Sequence, residues 1–286
     1  MTEAKKIPIS RGVLTDVDCT LLDSQRQLSI ENRDAIIDYL IESQRNSSLP
    51  KLALCTARHP AALIKTVLPI FAKFAPESLH VVCDGAMIIN AKAEVLWQEV
   101  INPLITKKIC QDVEKLNGSF AFGNGRVFYC GKSFLEGRRQ SSEPIDYLPY
   151  TDIKDDNNWT TGLIVINHLN ESVEAYIQGL EEKNKFHLDK SLSTFDQQPY
   201  YNLTLPGVSK VKGLKKWAEY YDLDAKEIMM VGDGDNDISA MKKSIGVAVA
   251  NAKPEVKEVA KLILEHSNDE GAIAWLLQGI LKESVA

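Results

Sequence analysis

The sequence predicts an α/β fold: a parallel-sheet core with helices on both faces, built from the two ends of the chain, plus an inserted α+β domain. Three observations predict it. Short apolar runs alternate with amphipathic segments from Val13 to Cys83, the alternation returns after about Val208, and the stretch between mixes strand pairs with helices. Strict alternation folds into βαβ units around a parallel sheet, whereas mixed runs form an α+β layer.

Val13 and Leu14 form the first strand, leading into Thr15-Asp16. Ile30 to Glu42 reads as a helix, with Ile30, Ala35, Ile36, Ile37, Leu40 and Ile41 apolar. Lys51 to Cys55 is the second strand, Pro60 to Phe71 a helix opened by proline, and His80 to Cys83 the third strand. The pattern then changes. Two helices, near Ile105 to Asn117 and Glu171 to Lys183, lie among strand pairs. Hairpin signals stand at Asn90-Ala91-Lys92-Ala93 and Gly123-Asn124-Gly125. Glu136 to Asn158 is polar and reads as loop. Alternation resumes with helix Val208 to Tyr221, strand Ile228 to Val231, helix Ile238 to Lys243 and strand Gly246 to Val249. Helix Pro254 to Ala260, strand Leu262 to Leu264 and helix Glu270 to Leu281 follow. Residues 1–86 and 200–286 are therefore assigned to the core and 87–199 to an inserted domain, hinged near Gly85 and Pro206.

Composition narrows the function. The 286 residues are 44% hydrophobic and 25% charged, values of an ordinary globular protein. Net charge is −6 without a basic block, which argues against nucleic acid and anionic membrane as partners. The five cysteines are scattered and form no C-x-x-C pair, so neither a zinc site nor a redox dithiol is expected. The first ten residues lack the apolar stretch of a signal peptide, and no apolar run approaches membrane-spanning length. A cytoplasmic protein with reduced thiols is expected.

Four segments carry the chemistry. Asp16-Val17-Asp18-Cys19-Thr20 places two carboxylates two residues apart where an apolar run ends. In extended backbone both face one side, at the strand end where α/β folds bind ligands. Taken alone, the pair reads as two solvated turn aspartates. Gly232-Asp233-Gly234-Asp235-Asn236-Asp237 supplies hard oxygen ligands in a tight turn, which suits magnesium. A calcium loop would need glutamate at its twelfth position, which is Ser244. Cys55-Thr56-Ala57-Arg58 offers a hydroxyl, amides and a guanidinium before a helix, a phosphate cradle or simply a helix entry. In Gly207 to Gly213 a lysine stands near a helix start, against the macrodipole; Lys212, Lys215 and Lys216 read as a solvated face.

In this order the four segments resemble the haloacid dehalogenase superfamily, and its Cof-type branch in particular, as do Gly246 to Ala252 and Ser267 to Gly271. That resemblance implies a Rossmann-like core, an inserted cap that sets specificity, and phosphate-monoester hydrolysis with Mg2+. It implies that Asp16 attacks phosphorus and Asp18 is the acid and base. Thr56 would hold a phosphate oxygen and Lys210 would neutralise charge. Asp16, the Asp18 carbonyl, Asp233 and Asp237 would hold the ion. Thr20, Ala57, Arg58 and Asn236 would contact substrate, with Asn236 reaching the phosphate or Lys210. The family usually has glycine at the positions of Cys19 and Ala57, and often asparagine at that of Asp84. The expected partner is a small phosphorylated metabolite: a sugar phosphate, nucleotide or cofactor phosphate. A phosphosugar mutase or phosphotransferase of the same superfamily and a weakly active phosphometabolite-binding regulator are the rival readings. A monomer is slightly favoured over an oligomer. Arg126, Tyr129, Trp159 and His168 are pocket candidates that read as readily as structural or exposed residues.

Overall fold

A computed structural model of the chain describes residues 7–123, 127–138, 147–153, 159–192 and 198–285. Its central sheet has five parallel strands in the order Leu262–Ile263, Ile245–Ala248, Ile228–Gly232, Gly12–Thr15, Lys51–Leu54. Gly12–Thr15 sits in the interior, in register with Ile228–Val231 on one side and Lys51–Leu54 on the other. Its four residues are all buried, as expected of a parallel strand covered by helices on both faces. Helix Ile30–Arg45 packs on Ala272–Val285, and helix Lys210–Tyr220 on Asp235–Met241. Ser29 caps the first of these helices by accepting the Asn32 amide at 3.1 Å.

A six-stranded sheet follows the order His187–Leu192, Pro199–Thr204, Ile164–Asn167, Ser119–Gly123, Phe128–Cys130, Tyr147–Pro149. All its pairs are antiparallel except the last. Phe120, Phe122, Ile164, Ile166 and Leu203 on one face meet Ile109, Val113, Val173 and Ile177 of helices Pro103–Lys115 and Glu171–Glu182. Among the described residues no helix is long and apolar enough to cross a membrane.

Contacts divide the chain into two units. One runs up to Arg58, then takes Thr66–Lys92 and everything from Ser209; the other comprises His59–Lys65 and Ala93–Val208. Three sequence assignments change here. Met87–Asn90 belongs to the first unit because it pairs antiparallel with Leu79–Val82. Pro199–Thr204 belongs to the second because it pairs with strands on both sides. The helix read over Pro60 to Phe71 is instead a three-residue 3-10 turn, Pro60–Ala62, and a separate helix Leu68–Phe74. Ala61 packs with Ala121, Phe128, Cys130 and Phe134 of the second unit, and this tertiary packing overrides the helical spacing. The polar stretch from Glu136 contains strand Tyr147–Pro149, and 139–146 and 154–158 lie outside the described residues.

Candidate active site

The site assembles in the first unit, where strands Gly12–Thr15, Lys51–Leu54 and Ile228–Gly232 end side by side. Asp16 still belongs to the ladder, since its amide donates to the Val231 carbonyl at 2.8 Å. The chain then turns, with the Val17 amide on Asp16 Oδ1 at 2.7 Å and the Leu22 amide on the Val17 carbonyl at 2.9 Å. Three asparagine side chains hold the turn by donating to its carbonyls: Asn251 to Cys19, Asn32 to Leu21 and Asn268 to Leu22, at 2.8, 2.8 and 3.0 Å. Thr20, fully buried, donates its hydroxyl to Asp233 Oδ1 at 2.8 Å.

Lys210 opens helix Lys210–Tyr220 and is wholly buried. Its Nζ lies 3.0 Å from Asp16 Oδ1 and 2.6 Å from Asp237 Oδ1. Two carboxylates outweigh the unfavourable end of the helix dipole, which resolves the oddity of a lysine there. Its backbone position is fixed by Gly85: a Cβ on that residue, whose φ is +93°, would stand 2.0 Å from the Ser209 carbonyl oxygen. Lys215 is exposed and Lys216 pairs with Glu219, as a solvated face requires.

The Thr56 segment departs from expectation. Thr56 is buried, its hydroxyl accepts the Arg58 amide at 3.1 Å, and half-buried Ala57 lies between them. The Thr56 hydroxyl proton therefore remains available to another acceptor. Arg58 makes a two-pronged ion pair with Asp18, Nε to Oδ2 at 2.8 Å and Nη2 to Oδ1 at 2.6 Å. The expected helix N-terminal cradle is absent, because a three-residue 3-10 turn of the second unit follows Arg58.

In the acidic loop, Asp237 is fully buried and held by three donors. Its Oδ2 accepts the amides of Asp233 and Gly234, both at 3.0 Å, while Oδ1 meets Lys210. Asp235 turns away to an exposed pair with Lys253 at 2.6 Å. Asn236 reaches neither Lys210 nor the loop of Asp16; its amide donates to Asp84 Oδ1 at 3.2 Å. Asp84, buried and at φ +54°, is the site residue that sequence reasoning passed over. The departure from asparagine was its only signal. Of the pocket candidates, Trp159 is buried in the second unit's core, Tyr129 packs against it, His168 is exposed, and Arg126 lies outside the described residues.

The electrostatics favour a cation. Ligand oxygens of Asp16, Asp233 and Asp237 all lie within 4.8 Å of one another. Burial raises the Asp16 carboxyl well above its ordinary range; Lys210 opposes this, and Asp237 and Asp233 add to it. Burial likewise pushes Asp233 up to about 6, against the Thr20 hydrogen bond. Burial would raise Asp18 too, but Arg58 more than offsets it and holds that carboxyl low. Lys210 stays protonated despite burial because Asp16 and Asp237 face it. Three carboxylates beside one lysine leave uncompensated negative charge on hard oxygen donors, a set that fits a small divalent ion such as magnesium.

The comparisons agree with this geometry. The profile of the haloacid dehalogenase-like hydrolases matches residues 13–277. A phosphoglycolate phosphatase of Methanopyrus kandleri is 34% identical over 114 residues, 40% of this chain and 46% of that one, so the match spans less than half of that relative. Phosphatase YwpJ of Bacillus subtilis is 24% identical over 293 residues, covering 94% of this chain and 99% of that one. A haloacid dehalogenase-like hydrolase from Bacteroides thetaiotaomicron shares the fold at 20% identity with a TM-score of 0.79, over 95% of this chain and 99% of that one. The chain thus belongs to the haloacid dehalogenase-like hydrolase family.

Proposed function

We infer that the protein is a magnesium-dependent phosphomonoester hydrolase that works through an aspartyl-phosphate on Asp16. The observation that carries this reading is the buried contact of Asp16 with Lys210, 3.0 Å apart, beside Asp233 and Asp237. A nucleophilic carboxylate must approach a phosphate dianion, and only nearby positive charge makes that approach feasible. Lys210 supplies one such charge at the attacking oxygen itself. Asp16, Asp233 and the Asp18 carbonyl would hold magnesium, with Asp237 supporting it directly or through water. When bound, the ion would neutralise phosphate charge and orient the phosphoryl group for in-line attack.

Asp16 forms the O–P bond while the ester oxygen departs with a proton from Asp18. The acid–base group then takes a proton from water, whose oxygen attacks phosphorus and regenerates Asp16 with release of inorganic phosphate. Asp18 meets Arg58 as an ionised partner, so it must gain a proton to act as an acid, and Arg58 holds the carboxyl in position for that exchange. Thr56, whose hydroxyl accepts the Arg58 amide and keeps its proton to donate, would hold a phosphate oxygen. Thr20 and Asn236 act by fixing Asp233 and Asp84.

The substrate proposed is a small phosphorylated metabolite, and the second unit is proposed as the cap that selects it. All five cysteines are free thiols and four are buried, which supports the expected cytoplasmic setting. The test is a screen for phosphate release from phosphosugars, nucleotides, cofactor phosphates and phosphoglycolate, with magnesium and without added acceptor. Steady release supports hydrolysis. Turnover that needs a sugar acceptor would indicate a phosphotransferase, and binding without release would indicate a regulatory protein.

A further inference from the structure

The chain passes between the two units at four peptide bonds: 58/59, 65/66, 92/93 and 208/209. The first of these adjoins the residue that grips Asp18. Arg58 is held in the first unit by its amide on Thr56 Oγ1 at 3.1 Å, by its carbonyl, which accepts the Cys83 amide at 2.9 Å, and by its fork on Asp18. One residue later the surroundings change completely. His59 is 2% exposed and packs on Phe128 of the second unit's sheet, with ring centres 4.3 Å apart and planes tilted by 55°. A Cβ at Gly123 would stand 2.0 Å from His59 Nε2, so this seat exists only because strand Ser119–Gly123 ends in glycine.

The ring also directs the backbone. Nδ1 accepts the Ala61 amide at 3.2 Å and so caps the Pro60–Ala62 turn, which leaves the ring proton on Nε2. Burial holds the imidazole neutral, pushing its pKa down to about 3. An aliphatic residue could fill the same space but could not accept that amide. The histidine therefore fixes where the chain goes on leaving Arg58.

We propose that His59 is a positioning residue: by capping the turn that follows Arg58 it fixes the C-terminal side of Arg58, and with it the hold of Arg58 on Asp18. The role in turnover rests on the phosphatase reading above; the coupling of His59 to Arg58 does not. A guanidinium that must meet both oxygens of one carboxylate tolerates little displacement of its own backbone.

A double-mutant cycle tests this on the full chain with magnesium and p-nitrophenyl phosphate. His59→Ala should lower kcat by about tenfold to a hundredfold, as misplacement of a catalytic group by roughly 1 Å does. His59→Asn, which keeps an acceptor for the Ala61 amide, should recover most of that loss. In an Arg58→Ala background, His59→Ala should change kcat less than about twofold, because contacting residues that act as one are non-additive. Equal losses in both backgrounds would overturn the proposal and leave His59 a packing residue.

A second readout needs no turnover. Cys19 is the one exposed thiol of the five, next to Asp18, and its modification by a disulfide reagent reports the charge around it. His59→Ala and Arg58→Ala should slow that reaction to the same extent, with no further change in the double variant, since an unpaired Asp18 repels thiolate. A rate unchanged by His59→Ala would also refute the coupling. If the parent releases no phosphate from any substrate, the hydrolase reading fails while this measurement still decides the proposal. Should His59→Ala not fold, Phe128→Leu loosens the same seat and takes its place in both assays.

Discussion

Replacing Cys19 by glycine probes the loop on which the proposed chemistry depends. Cys19 has φ +52°, in the left-handed region, and its carbonyl is fixed there by the Asn251 amide at 2.8 Å. Holding a non-glycine residue in that region costs about 1–2 kcal/mol. Glycine removes this strain but brings about 0.5–1 kcal/mol of extra freedom in the unfolded chain. The residue is exposed, so losing the thiol opens no cavity. The net expectation is a stabilisation of about 0.5–1 kcal/mol, or roughly 1–3 °C in Tm for a chain of this size. Hydrolysis should be retained or increased, and bulkier leaving groups better tolerated, because less side chain stands beside Asp18. The thiol itself should be sluggish toward oxidants: partial burial, then Asp233, Asp18 and Asp16, push its pKa up to about 11, so thiolate is scarce at neutral pH. The assay is thermal unfolding of parent and Cys19→Gly, followed by phosphate release over a substrate panel before and after mild peroxide and reductant. A lower Tm in the glycine variant would refute the strain argument. Loss of most activity would give the thiol a positive role, and reversible peroxide inhibition of the parent alone would make it a redox switch.

Three further outcomes follow from the site. Asp16→Asn should reduce phosphate release by about 10⁴-fold or more while leaving circular dichroism unchanged, because an amide cannot form the acyl phosphate; comparable turnover would remove Asp16 as nucleophile. Lys210→Met should destabilise the protein by about 3–5 kcal/mol in urea melts, since it strands two buried carboxylates; a neutral effect would mean that Asp16 and Asp237 carry less charge than the geometry implies. The third concerns pH. The Asp233 carboxyl is raised from 3.8 to about 6 on folding, so its contribution to stability is complete below about pH 4 and is lost as pH climbs through 6. A cation can replace the lost proton, so saturating magnesium should raise Tm more at about pH 7.5 than at about pH 5, and a gain that shrinks with rising pH would contradict this linkage.

Much of the core was legible because its signals are local. Strand Gly12–Thr15 is buried throughout and carries adjacent apolar Val13 and Leu14, and the acidic turns after it and after Gly232 stand out by composition. What could not be read depends on partners far along the chain. Nothing near Arg58 says that its guanidinium will choose a carboxylate 40 residues earlier over open solvent. Asp84 looks like any turn aspartate until Asn236, 152 residues away, donates to it. The spacing after Pro60 suits a helix, yet packing of Ala61 under Phe128 and Phe134 leaves only a 3-10 turn. Pro199–Thr204 has strand character, but only its ladder partners decide which sheet it joins.

The short His59–Lys65 segment has a consequence for modularity. A protein engineer wishing to exchange substrate preference would cut at 92/93 and 208/209 and move Ala93–Val208 as a cassette. That cassette would arrive without the residues that cover Ala121, Phe128, Cys130 and Phe134, exposing an apolar patch on its sheet. A transplant of this insert should therefore succeed when the seven-residue strap His59–Lys65 travels with it, and should misfold or aggregate when it does not.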